Sequence, residues 1–279
     1  MEYITLNNGY KMPMNGIGVF MLTPEQAEAS VESALKDGVR LIDTANAYMN
    51  ESATGRGIKK SGVAREDIFL VTKLWPTVYE KETAVDETLA RLQTDYIDLL
   101  FLHQPTKNWR EGYKNIEKAV KEGKVRAIGL SNFTNEELQE ALDTMEIKPA
   151  VVQVEAHPYF PQTELKKITV PNNIGLMAWY PLGHGDKSLI EELVFTELAA
   201  KYGKTNAQII LRWHIQSGHV IFPGSKNPDH IRDNFDIFDF TLTEDEMEKI
   251  AKVNKNVRYY TATPELLEQY ANMQLQADV

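Results

Sequence analysis

The chain has 279 residues, 43% hydrophobic and 25% charged, an ordinary globular balance in a chain long enough to bury a large core without covalent staples. Its 40 acidic against 30 basic residues give a net charge of −10, and no cluster of five or six cations stands out, which argues against nucleic-acid binding. It has no cysteine, so disulfide frameworks and thiolate metal sites are excluded and a reducing compartment suits it. The opening "MEYITLNNGYKMP" has no basic-then-apolar leader pattern, and no run is long enough to span a bilayer. We expect a cytoplasmic protein without membrane partner.

In chain order, a short hairpin is expected over "YITLNNGYKMP", with Asn8-Gly9 as its turn. Short apolar strands then alternate with amphipathic helices. Strands are expected at 16–20 ("GIGVF"), 39–43 ("VRLID"), 68–73 ("IFLVTK"), 97–103 ("IDLLFLH"), 125–131 ("VRAIGLS"), 150–155 ("AVVQVE"), 175–180 ("GLMAWY") and 219–223 ("HVIFP"). Continuous apolar runs of this kind suit strands covered on both faces, as in a parallel sheet. Helix starts are marked by capping-box pairs: Thr23 with Gln26, Thr134 with Glu137, Thr205 with Gln208, and Thr243 with Glu246. Eight strand–helix alternations point to one (β/α)8 TIM barrel over residues 1–279. A doubly wound sheet is the rival, but its G-x-G-x-x-G signature is absent; "GIGVFM" supplies only two of the glycines.

The second, third and fourth of these strands end in succession on a charged or titratable residue. Asp43 closes the second, Lys73 the third and His103 the fourth, at intervals of 30 residues, and Tyr48 follows Asp43 closely. In such a barrel all carboxyl strand ends open on one face, so the four should meet at the mouth. Taken singly, each has a plainer use. Asp43 could cap a helix, Tyr48 could pack at the rim, Lys73 could be solvated, and His103 could be a bonded core histidine. Their common face is what favours a site. A phenol with a pKa of about 10 is a weak acid at neutral pH, and an ammonium within hydrogen-bonding range would lower that value. Asp43 would hold Lys73, and His103 would orient a carbonyl oxygen that gains negative charge.

With these residues in place the chain resembles the aldo-keto reductases, over roughly residues 3–253. The stretches "GVRLIDTANAYMNE", "FLVTKLW", "LLFLHQP", "VRAIGLSNF" and "HIRDNF" carry the likeness, and its compact length is similar to that of prokaryotic 2,5-diketo-D-gluconate reductases. The resemblance implies an NAD(P)H-dependent reductase of aldehydes or ketones, of small, sugar or ketoacid type. Tyr48 would be its general acid, Lys73 and Asp43 would tune that acid, and His103 would position the substrate. It also implies that Ser131, Asn132 and Gln153 hold the nicotinamide carboxamide and that Tyr180 stacks on the ring. Leu182 and Gly183 would meet the pyrophosphate, with Ser225 and Asn234 at the adenosine end. Phe20, Trp75 and Trp109 follow strand ends and are expected to line the substrate pocket.

The chain departs from the family's NADPH pattern after the last strand. Where those members have "PKS" and a nearby arginine, it has "PGS", with Gly224 for the lysine and His230 at the arginine position. That leaves Ser225, Lys226 and His230, which carries no permanent charge, for the 2′-phosphate, so NADH is expected to be usable alongside NADPH. The other histidines show no metal-binding spacing, and no metal is expected. A barrel serving as a cofactor-binding sensor would show a broken tetrad, whereas this one is whole. A barrel hydrolase using Asp43 and His103 would leave Ser131, Asn132, Gln153 and Tyr180 without a purpose. No feature demands more than a monomer. The tail 257–279, "VRYYTATPELLEQYANMQLQADV", is expected to fold over the barrel mouth.

Overall fold

The computed structural model describes residues 1–276 and 278. The hairpin forms from β1 (Tyr3–Thr5) and β2 (Lys11–Pro13), antiparallel with Tyr3 opposite Pro13. Eight parallel strands follow, each paired to the next in chain order: β3 (Ile17–Gly18), β4 (Leu41–Asp43), β5 (Phe69–Leu74), β6 (Leu99–Leu102), β7 (Ile128–Ser131), β8 (Val151–Glu155), β9 (Gly175–Trp179) and β10 (His219–Ile221). The sheet closes where the amide of Gly16 donates to Ile221 O and the amide of Ile221 donates to Met14 O, both at 2.9 Å. This is the (β/α)8 barrel. Its strands are shorter than their apolar runs because tilt and stagger leave the strand ends beyond the reach of a neighbour's ladder.

Alternation along the strands decides what fills the barrel. Leu41, Phe69, Val71, Leu99, Phe101, Ala127, Val151, Met177 and Val220 form one buried cluster, plugged from below by Leu6 and Met12 of the hairpin. Gly129 belongs to this packing, since a Cβ there would lie 2.3 Å from the Phe101 ring. Residues of opposite parity, such as Ile42, Leu70, Leu100, Ile128, Val152 and Ala178, pack outward against the helices. Two residues above the inward layer come Asp43, Lys73, His103, Ser131, Gln153 and Trp179, so the period of two places polar groups together at the carboxyl end.

All four capping boxes close reciprocally, at the helices Pro24–Lys36, Asn135–Thr144, Asn206–Gln216 and Glu244–Ala251. Such caps satisfy amides that a helix start leaves without partners. The tail does cross the mouth. Its helix Pro264–Asn272 brings Tyr270 O to the indole N–H of Trp75 at 3.0 Å, and Asp278 accepts the amide of Ser52 at 3.1 Å. Among the described residues, no helix is long and apolar enough to cross a membrane.

Candidate active site

Lys73 is wholly buried, and every hydrogen of its ammonium has a partner. It donates to Asp43 Oδ1 at 2.8 Å, Asp43 Oδ2 at 2.7 Å and Thr44 O at 2.8 Å. Burial pushes the Asp43 carboxyl up and the Lys73 amine down, and their mutual attraction pulls both back toward the charged forms. Gln153 Nε2 donates to Asp43 Oδ1 at 3.0 Å and fixes the carboxylate from the far side of the barrel.

Tyr48 ends a single 3₁₀ turn, Asn46–Tyr48, and Met49 then reverses the chain at φ 54°. Asn50 braces this loop: it accepts from Thr44 Oγ1 at 2.9 Å and donates to Val19 O at 2.9 Å, joining the loops after β3 and β4. The Tyr48 ring lies 4.9 Å from Lys73 Nζ, 4.9 Å from the Phe20 ring and 5.7 Å from the His103 ring. Trp75 meets His103 edge-on at 5.0 Å. The four residues Asp43, Tyr48, Lys73 and His103 are thus brought together as the spacing implied.

The electrostatics correct one expectation. Lys73 makes no hydrogen bond to the phenol, because Asp43 and Thr44 take all its protons. Burial, then the Asp43 charge and Tyr180, hold the Tyr48 hydroxyl well above its ordinary range, so it is fully protonated at neutral pH. Burial, then the Lys73 charge, hold His103 well below its ordinary range, so the imidazole is neutral with a single N–H. Its Nδ1 is buried without a partner.

Ser131 and Gln153 point into the mouth from adjacent strands, and Asn132 follows in the left-handed region at φ 65°. Asn132 Nδ2 donates to His103 O and Ser131 Oγ, both at 3.3 Å. Trp179 Nε1 donates to Asn132 Oδ1 at 2.9 Å. Sequence reasoning passed over Trp179, although the alternation from Met177 signals it. Tyr180, expected as the ring platform, lies one residue past the strand with φ 52°, its ring tilted on His184 at 4.4 Å. Of the pocket residues, Phe20 is 54% exposed beside Tyr48, and Trp75 is walled in by Tyr270. Trp109 is a correction. It is 2% exposed at the start of the helix Trp109–Lys121 and packs edge-on to Phe133 at 5.4 Å, in the core.

Around the later strands, Leu182 is half-buried and Gly183 buried in the turn after β9, with the Gly183 amide donating to Tyr180 O at 2.8 Å. Ser225 Oγ accepts the amide of Asn227 at 3.0 Å, just before the helix Pro228–Phe235. Lys226 and His230 are both exposed there, and Asn234 O accepts from Asn15 Nδ2 at 2.9 Å. Gly224 has a packing reason: a Cβ would lie 2.7 Å from Gly18 O, where the first and eighth barrel strands close. The remaining histidines are engaged locally. His157 meets Glu155 at 2.9 Å, and His214 bridges His219 and Pro181 O.

A nicotinamide needs a flat neighbour and paired partners for its carboxamide, and buried Ser131 and Gln153 with half-buried Asn132 and Trp179 fit that need with donors and acceptors at adjoining strand ends. Beside them stands a phenol held protonated, ready for an oxygen that is gaining charge. The class of protein so defined is a nicotinamide-dependent barrel oxidoreductase. Residues 15–255 match the model of the aldo/keto reductase family, and the chain belongs to that family. It is 44% identical to the glyoxal reductase of Bacillus subtilis over 271 residues, covering 95% of this chain and 98% of that one. It is 39% identical to the methylglyoxal reductase DkgA of Escherichia coli K12, over 91% of this chain and 94% of the other. An aldo-keto reductase from a Medee basin deep-sea metagenome library superposes with a TM-score of 0.89 at 40% identity, covering 93% and 97% of the two chains. The protein is an NAD(P)H-dependent oxidoreductase that reduces carbonyl compounds.

Proposed function

We propose that this mouth reduces aldehydes and ketones with Tyr48 as the proton donor, and that small carbonyls of the α-oxoaldehyde kind are among its substrates. The observation that carries the reading is the placement of a protonated phenol between a buried Asp43–Lys73 pair and a neutral imidazole. Reduced nicotinamide, when bound, supplies the hydride that the carbonyl carbon accepts. His103 donates its N–H to the carbonyl oxygen and orients it. As that oxygen becomes an alkoxide it is far more basic than a phenolate, so Tyr48 gives up its proton downhill despite its raised pKa. The ammonium near the ring stabilises the phenolate left behind, offsetting part of the burial that raises the Tyr48 hydroxyl above its ordinary range.

Ser131, Asn132 and Gln153 are assigned to the carboxamide. Trp179, in phase with the inward layer, is assigned in place of Tyr180 as the ring platform. Leu182 and Gly183 are assigned to the pyrophosphate, and Ser225 and Asn234 to the adenosine end. Both NADH and NADPH are used, because the basic residues near the end of β10 are the exposed Lys226, His230 and Arg232, the last paired with Asp229, and no lysine stands at Gly224 to meet a 2′-phosphate. Consumption of each reduced cofactor with glyoxal, methylglyoxal and a sugar aldehyde tests the proposal; no consumption with any carbonyl would refute it. The small-dicarbonyl preference draws on the names of the B. subtilis and E. coli relatives.

A further inference from the structure

Glu155 is the last residue of β8, in phase with Gln153 and one layer above it, and the reduction described above has no use for it. Its carboxylate is buried and takes three partners. Oε1 accepts the amide of Tyr259 at 2.6 Å and meets His157 Nε2 at 2.9 Å, while Oε2 accepts the amide of Tyr260 at 3.0 Å. The backbone it grips is otherwise exposed from Asn254 to Tyr259 and spans a cavity of about 570 Å³, whose walls include Asn132, Glu155, Trp179 and Tyr260. A segment bridging a cavity is held by its end bonds rather than by a packed floor. Besides Glu155, the segment is tied by the amides of Lys255 and Val257 to Tyr159 O, at 3.2 and 3.3 Å, and by Lys255 Nζ to Glu192 Oε1 at 3.3 Å.

Both side chains of the gripped pair reach further. Tyr259 donates its hydroxyl to Asp186 Oδ2 at 2.6 Å, and its ring lies over Gly183, so it touches the turn assigned to the pyrophosphate. That turn is also tied to the wall by Tyr159 Oη to Ser188 O at 2.9 Å and by Asn206 Nδ2 to Ile190 O at 2.8 Å. Tyr260 meets Trp179 edge-on at 5.6 Å and lies 3.4 Å, hydroxyl to hydroxyl, from Tyr270, whose carbonyl takes the indole N–H of Trp75. One carboxylate therefore stands behind both the cofactor side and the substrate side of the mouth.

We propose that Glu155 is a positioning residue that clamps residues 259–260 and through them sets the closure of the turn 183–190 and of the tail across the mouth. The cofactor half of this rests on the assignment of Leu182 and Gly183 to the pyrophosphate. Hydrogen–deuterium exchange on the full chain tests the clamp, comparing the parent with Glu155→Gln and Tyr259→Phe. The amide of Gln places an N–H₂ where a backbone N–H needs an acceptor. In Glu155→Gln, peptides covering 183–190 and 256–262 should both exchange about tenfold faster while the barrel strands keep the parental rate. In Tyr259→Phe only 183–190 should loosen. NADPH release, followed by stopped-flow fluorescence, should be about fivefold faster in both variants, with KM for the carbonyl raised only in Glu155→Gln. Parental exchange at 183–190 in both variants overturns the proposal. Should Glu155→Gln not fold, Tyr259→Phe decides the cofactor side, and Tyr260→Phe, through KM, decides the substrate side. A parent protein that leaves NADPH fluorescence unchanged refutes the cofactor assignment, and the exchange rates still decide the clamp.

Discussion

Lys73 and Tyr48 are neighbours without being hydrogen-bonded: the ammonium nitrogen lies 4.9 Å from the ring centroid, and Asp43 and Thr44 take all three of its hydrogens. In the proposed mechanism the cation would offset part of the cost of forming a buried phenolate, while burial, the Asp43 charge and Tyr180 leave the Tyr48 hydroxyl above its ordinary range, so the resting phenol stays protonated.

Tyr48→Phe keeps the ring and its contacts with Phe20 and His103 but removes the donated proton. Carbonyl reduction should fall at least ~10²-fold in kcat, the lower range for general acid catalysis, with cofactor affinity within a few-fold of the parent. Near-parental turnover would remove Tyr48 from the proposed role.

The pH dependence follows from the two shifts. Tyr48 must be protonated to act, and its pKa is raised; His103 must be neutral, and its pKa is lowered. The active form therefore persists from below the ordinary imidazole range to above the ordinary phenol range. The kcat for reduction should be flat from about pH 6.5 to pH 10 when chemistry limits the rate. An acid limb near the ordinary histidine value would show that His103 titrates freely. Lys73→Met should lower kcat by ~10²-fold at every pH in that window while KM changes little, because what is lost is phenolate stabilisation. An altered KM with unchanged kcat would mark Lys73 as structural.

The barrel, its capping boxes and the tetrad were legible because each rests on a short-range rule. A period of two carries Asp43, Lys73 and His103 inward, and a threonine three residues before Glu or Gln starts a helix. The same period, continued from Met177, carries Trp179 inward, whereas Tyr180 lies past the strand end, where the chain turns left-handed. Trp109 was misread for a different reason. Its distance past His103 places it at a loop end, but whether a first-turn helical side chain faces the mouth or the core depends on Phe133, which comes from beyond the next strand, as well as on Tyr113 one turn along the same helix. The Glu155 clamp was equally invisible, since it joins a strand end to amides 104 and 105 residues away.

Trp109 gives a test of core against pocket. Trp109→Phe should lower thermal stability by an amount typical of a buried volume loss, and Trp109→Ala should cost about 3–5 kcal/mol. Neither should change KM for small carbonyls. A raised KM with unchanged melting temperature would return Trp109 to the substrate pocket.

Cofactor choice turns on the segment after β10. A permanent cation on the 2′-phosphate makes charge-assisted contacts worth roughly 1.5–3 kcal/mol each, and the basic residues at hand here are exposed Lys226, His230 and Arg232, the last already paired with Asp229. His230 sits in the first turn of the helix Pro228–Phe235, where a longer side chain meets open solvent. His230→Arg should therefore fold normally and shift the ratio of kcat/KM values toward NADPH by about tenfold, equal to about 1.4 kcal/mol. Adding Gly224→Lys is a poorer route than the sequence suggests. Its Cβ would lie 2.7 Å from Gly18 O, and backbone must move where the first and eighth barrel strands close. That second change should lower the melting temperature whatever it adds to binding. If the parent already rejects NADH by more than ~10²-fold, and His230→Arg leaves the ratio unmoved, then Lys226 or another group grips the phosphate and the weakened-clamp reading fails.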